Sequence, residues 1–256
     1  MNGIKGFLID LDGVLYVGDQ PIAGAQVAIK NLMQSDYAIR FVSNTTRKCR
    51  KTIASRLFAM GFEIPEEYIF TPPLAAVAHI KKTGKHLCYL LTTGDIKRDF
   101  EQFCTFDSGA KPDFVIIGDA GDVITYSSLN TAFRCLLEGA ELIALEKDRY
   151  WMACDGLSLS AGPFVQALEF ASGKTAIVMG KPSADFFKLA LRDIGLQTGQ
   201  VAMIGDDIIT DIGGAHHAGM RSILVRTGKF REEALKSAPI KPTNIIDSIA
   251  DLNDIL

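Results

Sequence analysis

Short apolar runs alternate along the chain with stretches whose apolar residues recur every three to four positions, the pattern of βαβ units around a parallel sheet. Residues 4–9 (IKGFLI) predict a strand closed by Asp10. Residues 23–34 predict a helix, with Ala25, Ala28, Ile29, Leu32 and Met33 as its apolar stripe. A second strand is expected over 38–42 (AIRFV) and a second helix over 48–60, where Ile53, Leu57 and Met60 keep helical spacing and Gly61 suits the C-cap. The same pattern returns downstream, with strands over 201–204 and 222–225 flanking a helix over 209–218. A separate α/β pattern lies between, with strands near 87–91, 114–117 and 142–145 and a helix near 129–137. Turn-rich segments, Thr71-Pro72-Pro73 and Ser172-Gly173-Lys174, mark its borders. The expected fold class is therefore α/β. A Rossmann-like, doubly wound parallel sheet core, residues 1–72 plus 177–256, is interrupted by an inserted α/β domain at 73–176.

Composition narrows the function classes. With 48% hydrophobic and 22% charged residues, the chain has an ordinary globular make-up and is neither disordered nor fibrous. Its formal net charge of −3, with no basic stripe, argues against a nucleic-acid partner. No apolar run is long enough to span a membrane, and Asp10 interrupts any signal-peptide core. The five cysteines (Cys49, Cys88, Cys104, Cys135 and Cys154) are scattered without a CxxC pair, so buried reduced thiols are expected. The chain reads as a soluble protein of a reducing, cytoplasmic compartment.

Four segments that each close an apolar run carry candidate chemistry. Asp10-Leu11-Asp12-Gly13 ends the first strand, and ligands of open parallel sheets bind beyond such strand ends. Ser43-Asn44-Thr45-Thr46 ends the second strand and opens a helix, where small polar residues leave backbone N–H groups free for an anion. Gly180-Lys181-Pro182 follows the apolar run 176–179. Gly205-Asp206-Asp207-Ile208-Ile209-Thr210-Asp211 follows another and brings three carboxylates into six residues. Each like-charged pair costs about 3 kcal/mol at an effective dielectric of ~20 and ~5 Å, a cost that a magnesium ion relieves. Taken singly, each segment also has an ordinary structural reading: turn carboxylates, a helix N-cap, a surface lysine, or a carboxyl kept protonated. Adjacent His216 and His217 do not make a metal pair on a helix. The glycines around them, GGAHHAG, suit close helix packing better than a dinucleotide loop.

Taken in order, DLDGV, VSNTTR, GKP and GDDIITD resemble the four motifs of the haloacid dehalogenase superfamily: DxD, a strand-ending Ser or Thr, a Lys, and GDxxxxD. The resemblance runs nearly full length, and the insert between the second and third motifs is similar to that family's larger α/β cap. GPFVQALEFASG, VMGKPSADFF, MIGDDIITDIGGAHHAGM and VRTGKF look like the subgroup of phospholysine phosphohistidine inorganic pyrophosphate phosphatases, beside the nitrophenylphosphatase and NagD-like enzymes. The resemblance implies a magnesium-dependent phosphatase. Asp10 would be the nucleophile that forms an aspartyl-phosphate, and Asp12 the acid–base group. Ser43, backbone amides near Asn44, and Lys181 would bind the phosphoryl oxygens. Asp10, the Asp12 carbonyl and Asp206 would hold Mg2+, with Asp207 and Asp211 adding a ligand or ordering its waters. Gly13 and the hairpin-like residues 12–22 (DGVLYVGDQPI) would form a short flap after the nucleophile.

A cap implies a small phosphorylated metabolite as substrate and, from relatives that dimerise through it, a homodimer. The cap segment Leu145-Glu146-Lys147-Asp148-Arg149-Tyr150 departs from the Asn-Pro-Asp-like sequence of many relatives, so specificity for pyridoxal phosphate or nucleotides is not carried over. For Lys147 and Arg149 a solvated role is expected slightly ahead of contact with an anionic substrate. Two rival functions share the acidic motif. A phosphotransferase or mutase would pass the phosphoryl group to a hydroxyl, and a receiver-like binding module would keep it.

Overall fold

Gly6–Asp10 (β1) is buried at every position, as a strand must be when helices cover both faces of a parallel sheet. The computed structural model describes residues 3–105, 111–153 and 155–256. In chain order, β1 is followed by a small antiparallel flap, β2 (Tyr16–Val17) and β3 (Gln20–Pro21), then α1 (Ala25–Met33), β4 (Ala38–Val42), α2 (Arg50–Ala59) and β5 (Ile69–Phe70). The middle of the chain forms α3 (Pro72–Lys81), β6 (Leu87–Leu91), β7 (Cys104–Thr105), β8 (Phe114–Ile117), α4 (Tyr126–Leu137) and β9 (Glu141–Ala144). The hairpin β10 (Tyr150–Ala153) and β11 (Gly156–Leu159), α5 (Gly162–Ser172) and β12 (Ile177–Val178) follow. The last part contributes α6 (Ala184–Ile194), β13 (Val201–Gly205), α7 (Gly214–His217), β14 (Arg221–Val225), α8 (Glu232–Ser237) and β15 (Asn244–Ile246).

The chain divides into two compact units. The first comprises Met1–Ser43, Arg50–Phe70 and Lys181–Leu256, and the second Asn44–Cys49 and Thr71–Gly180. Among the described residues, the first unit holds a parallel sheet of order β15-β14-β13-β1-β4-β5. The chain leaves β1 toward β4 on one side and returns through β13 on the other. A switch point therefore opens beyond the carboxyl ends of β1 and β13, where such sheets bind ligands. Phe7, Ile9, Phe41, Leu57, Ile204 and Ile223 fill the core on one face. On α6, the Ser183 side chain accepts the Asp185 N–H, Phe186, Phe187 and Leu191 are buried, and Gly195 ends the helix in the left-handed region.

The second unit has its own parallel sheet, β12-β9-β8-β6-β7, and its own core of Val115, Ile117, Leu136, Leu142 and Val165. Its helix α4 starts on a reciprocal Thr125–Ser128 capping box.

Several elements differ from the sequence reading, each for a local reason. Thr71-Pro72-Pro73 is the start of α3, with extended Thr71 as N-cap and proline in the first helical turn, where a missing N–H costs nothing. Ile177–Val178 pairs with β9, so the residues up to Gly180 fall with the second unit. The helix expected over 209–218 is split: Ile208–Gly213 is a wide π turn and only Gly214–His217 is α-helical. Gly214 packs where a Cβ would overlap the Phe187 ring, in keeping with a packing role for the glycines; both histidines are exposed. Cys49, Cys88 and Cys135 are buried, whereas Cys154 and the side chain of Cys104 lie outside the described residues. No helix among the described residues is long and apolar enough to cross a membrane.

Candidate active site

Sheet register gathers the acidic residues. Asp10 is the last residue of β1 and pairs with Val42, so Ser43 lies one residue beyond that pair on the adjacent strand. On the other side Ile9 pairs with Ile204, which brings Asp206 just past the end of β13 beside Asp10. Asp211 enters from the π turn. Asp207 caps that turn, its Oδ1 accepting the N–H groups of Ile209 and Thr210 at 2.8 and 3.1 Å. The Ile212 N–H reaches back five residues to the Asp207 carbonyl, and the widened turn carries Asp211 inward.

Lys181 joins these pieces. Its Nζ donates to Asp10 Oδ1 and Asp211 Oδ1, both at 2.7 Å, and all three side chains are buried. Among the described residues, one oxygen each from Asp10, Asp206 and Asp211 lies within 4.8 Å of the others. With all three ionised, one ammonium leaves two negative charges uncompensated in a desolvated space. Burial, opposed by Lys181 and reinforced by Asp206, accordingly holds the Asp10 carboxyl above its ordinary range. Burial and neighbouring acids push Asp206 and Asp211 up to about 6 each. Burial would lower Lys181, but Asp10 and Asp211 outweigh it and keep it protonated. Asp207 goes the other way, because the Thr210 and Ile209 amides overcome its desolvation. The donor set is all oxygen, anionic and short of positive charge. It fits a small hard divalent cation that shares its coordination with waters and substrate phosphate.

Asp12 differs from Asp10. It sits in the tight turn where the Gly13 N–H donates to the Tyr16 carbonyl, and its side chain is exposed. Desolvation by its surroundings still raises its carboxyl, against the pull of Lys229 and Arg56. One carboxylate is thus fixed by a lysine and the other is free to exchange a proton with what lies beside it.

In the second unit, Asn44 is a neighbour of Gly180, the residue before Lys181. Thr46 is buried and its Oγ1 accepts the Asp119 N–H at 3.0 Å, while Arg47 lies 3.7 Å from Asp119 and 5.5 Å from the Trp151 ring. The segment after Ser43 therefore folds with the inserted unit. Glu146 is buried and accepts the Ser160 hydroxyl at 2.7 Å and the Ala161 N–H at 2.8 Å, pinning the segment that departs from Asn-Pro-Asp. Lys147 is paired with Glu169 at 2.7 Å, and Arg149 is exposed beside Tyr150. Sequence reasoning assigned no role to Thr227, Gly228 or Lys229, which close on Gly13 and Asp206; only the fragment VRTGKF hinted at them.

Comparison with known proteins places the chain in a family. Residues 7–103 match a family described as haloacid dehalogenase-like hydrolase, and residues 178–252 match one described as HAD-hydrolase-like. The chain is 40% identical, over its full length and 95% of the relative, to the human phospholysine phosphohistidine inorganic pyrophosphate phosphatase. It is 43% identical to the bovine haloacid dehalogenase-like hydrolase domain-containing protein 2, over 93% of this chain and 91% of that one. Among solved structures, it resembles a 4-nitrophenylphosphatase of Thermotoga maritima, with 27% identity, a TM-score of 0.89 and coverage of 98% and 97% of the two chains. A p-nitrophenyl phosphatase of Archaeoglobus fulgidus gives 27%, 0.90, and 99% of each chain. A DxD strand end, a lysine bridging two acids and a GDxxxxD turn converge at the carboxyl ends of two central strands, and relatives match along the whole length; the chain belongs to the haloacid dehalogenase-like hydrolases.

Proposed function

We propose that the protein is a magnesium-dependent phosphatase that hydrolyses a small phosphorylated metabolite by way of a phosphorylated Asp10. The observation that carries this reading is the Lys181 bridge, whose ammonium donates to Asp10 at a buried strand end and favours the charged carboxylate against the burial that raises it. An ionised carboxylate in a dry site is a competent nucleophile. Attack by an Asp10 oxygen on phosphorus forms the acyl phosphate and breaks the bond to the leaving oxygen, which takes the proton of Asp12. Water then attacks the same phosphorus and gives a proton to Asp12. The bond to Asp10 breaks, and inorganic phosphate leaves with both carboxyls restored. Ser43, the amides near Asn44, and Lys181 serve as donors to the phosphoryl oxygens, where charge stabilisation and positioning carry most of the rate. Asp10, the Asp12 carbonyl and Asp206 are the residues that would hold Mg2+, with Asp211 and Asp207 behind them. The ion, when bound, neutralises charge on the phosphoryl group.

The named activities of the relatives suggest the substrate classes to try: phosphate monoesters, pyrophosphate, and the P–N bonds of phospholysine and phosphohistidine. Phosphate release from such a panel, with and without Mg2+, tests the reading. Free phosphate from one substrate supports hydrolysis, whereas phosphoryl transfer to an added alcohol points to a transferase, and stable phospho-Asp10 without turnover to a receiver. A cytoplasmic setting is supported by five cysteines scattered through the sequence without a CxxC pair. Association through the cap is supported by Tyr150, Leu157 and Leu159, which the β10–β11 hairpin exposes.

Asp12→Asn should lower turnover of an alkyl phosphate by about 10²–10⁴-fold, the usual worth of a positioned acid–base group. With 4-nitrophenyl phosphate the first step needs no proton, so phosphorylated Asp10 should accumulate and be trapped by rapid acid quench. Equal losses on both substrates with no trapped intermediate would remove Asp12 from this role.

Metal dependence on pH follows from the raised acids. A carboxyl raised from 3.8 to about 6 takes up a proton on folding. Metal-free stability therefore falls as pH rises through that window and levels off above it. A cation needs the ionised form and reverses the trend. Mg2+ should raise Tm at about pH 7.5 and have almost no effect near pH 5. A Tm gain of equal size at both values would contradict the site.

A further inference from the structure

We propose that Thr227-Gly228-Lys229 is a positioning clasp that sets the orientation of the Asp206 carboxylate and ties it to the turn carrying Asp12. This rests on the reading of Asp206 as a metal ligand. β14 lies beside β13 with Leu224 opposite Gly205, so the chain leaving β14 is bound to pass close to Asp206. Three contacts use that proximity. The Lys229 backbone N–H donates to Asp206 Oδ2 at 2.6 Å, and the Thr227 hydroxyl donates to the Gly13 carbonyl. Gly13 and Gly228 face each other, both in the left-handed region at φ 86° and 59°. A Cβ on Gly228 would overlap Gly13 Cα and Asp206 Oδ2, and one on Gly13 would overlap the same carboxylate oxygen. Only glycine at both positions lets the two loops close on one carboxylate.

The chemistry explains why the closure matters. A carboxylate carried on a single side chain has rotamer freedom, and a short charge-assisted bond to a fixed amide removes it. Asp206 then enters the acidic cluster in one orientation. The Thr227 bond holds the Asp10–Gly13 turn in register with it, because Gly13 directly follows Asp12. The Lys229 ammonium is a separate matter: it is exposed and stands 3.6 Å from Asp207 Oδ2, a surface pair of small worth. The device is the amide and the hydroxyl.

Groups that hydrogen-bond to a metal-binding side chain are worth about 10–100-fold in metal affinity. Mn2+ binding to the full chain, followed by the EPR signal of free Mn2+, reads this without turnover. Thr227→Val and Gly228→Ala should each weaken Mn2+ binding about tenfold or more, with Thr227→Ser restoring it. Lys229→Met keeps the amide and should stay within about threefold of the parent affinity, whereas loss as large as that of Gly228→Ala would move the effect to the ammonium and overturn the clasp. Asp206→Ala serves as reference. If it loses Mn2+ while Thr227→Val and Gly228→Ala bind normally, the clasp is wrong and the metal site stands. If Asp206→Ala itself binds normally, the ligand assignment beneath both has failed. Should Gly228→Ala not fold, the Thr227→Val and Thr227→Ser pair decides alone, and equal weakening in both overturns the role of the hydroxyl.

Discussion

Asp10→Asn should leave a folded protein whose phosphatase activity is lower by about four orders of magnitude or more, the scale on which removal of a nucleophile acts. The amide keeps the shape of the side chain and its place at the end of β1, but it cannot form an acyl phosphate. Electrostatics makes the variant more informative than a simple loss. Asp10, Asp206 and Asp211 share one buried lysine, so they carry two charges in excess when all are ionised. Neutralising Asp10 removes one of them. Without metal at neutral pH, the variant should therefore melt no lower than the parent, and higher if relief of like-charge repulsion exceeds the weakened bond to Lys181. Differential scanning fluorimetry and phosphate release on the same sample check both halves. Normal magnesium-dependent turnover would end the assignment of Asp10; a collapse of Tm would show that its charge holds the fold together.

How much of this was legible beforehand follows from what each residue does. Asp10 and Asp206 stand out because each abruptly ends a wholly apolar strand, and parallel pairing leaves strand ends side by side. Lys181 has no such mark. It follows a two-residue strand of the other sheet and is noticeable only through its order among the motifs. Asp207 and Asp211 read alike in GDDIITD, yet the first spends its carboxylate on two amides of its own turn and the second on Lys181. Hydropathy cannot separate them, because the difference lies in a π turn that no side-chain pattern announces. Thr46 and Asp119 are 73 residues apart, and their bond draws the segment after Ser43 into the inserted unit. The clasp was harder still to see. Its decisive donor is a main-chain amide, which every residue except proline carries, so Lys229 looks in the sequence like an ordinary surface lysine.

Lys181→Met tests whether the site is held by its lysine or merely contains one. Methionine fills much the same volume, so the change is chiefly one of charge. It leaves Asp10 and Asp211 buried with no ammonium between them and Asp206 close by. Breaking a buried pair in this way costs about 3–5 kcal/mol. For a chain of this size that corresponds to a Tm lower by roughly 6–20 °C. The deficit should be largest above about pH 6, where Asp206 and Asp211 ionise, and should shrink toward pH 4 as the carboxyls protonate and no longer need a partner. Mg2+ should recover part of it at neutral pH, because a second cation can take over the same carboxylates. Catalysis should recover less. In the proposed mechanism the ammonium is also a donor to the phosphoryl group, and losing one such donor costs about 10²–10³-fold in turnover. An unchanged Tm at neutral pH without metal would mean that the acids are already protonated there and that Lys181 does not set their charge. A Tm restored by Mg2+ together with full activity would confine the lysine to a structural role and leave the phosphoryl oxygens to Ser43 and the backbone.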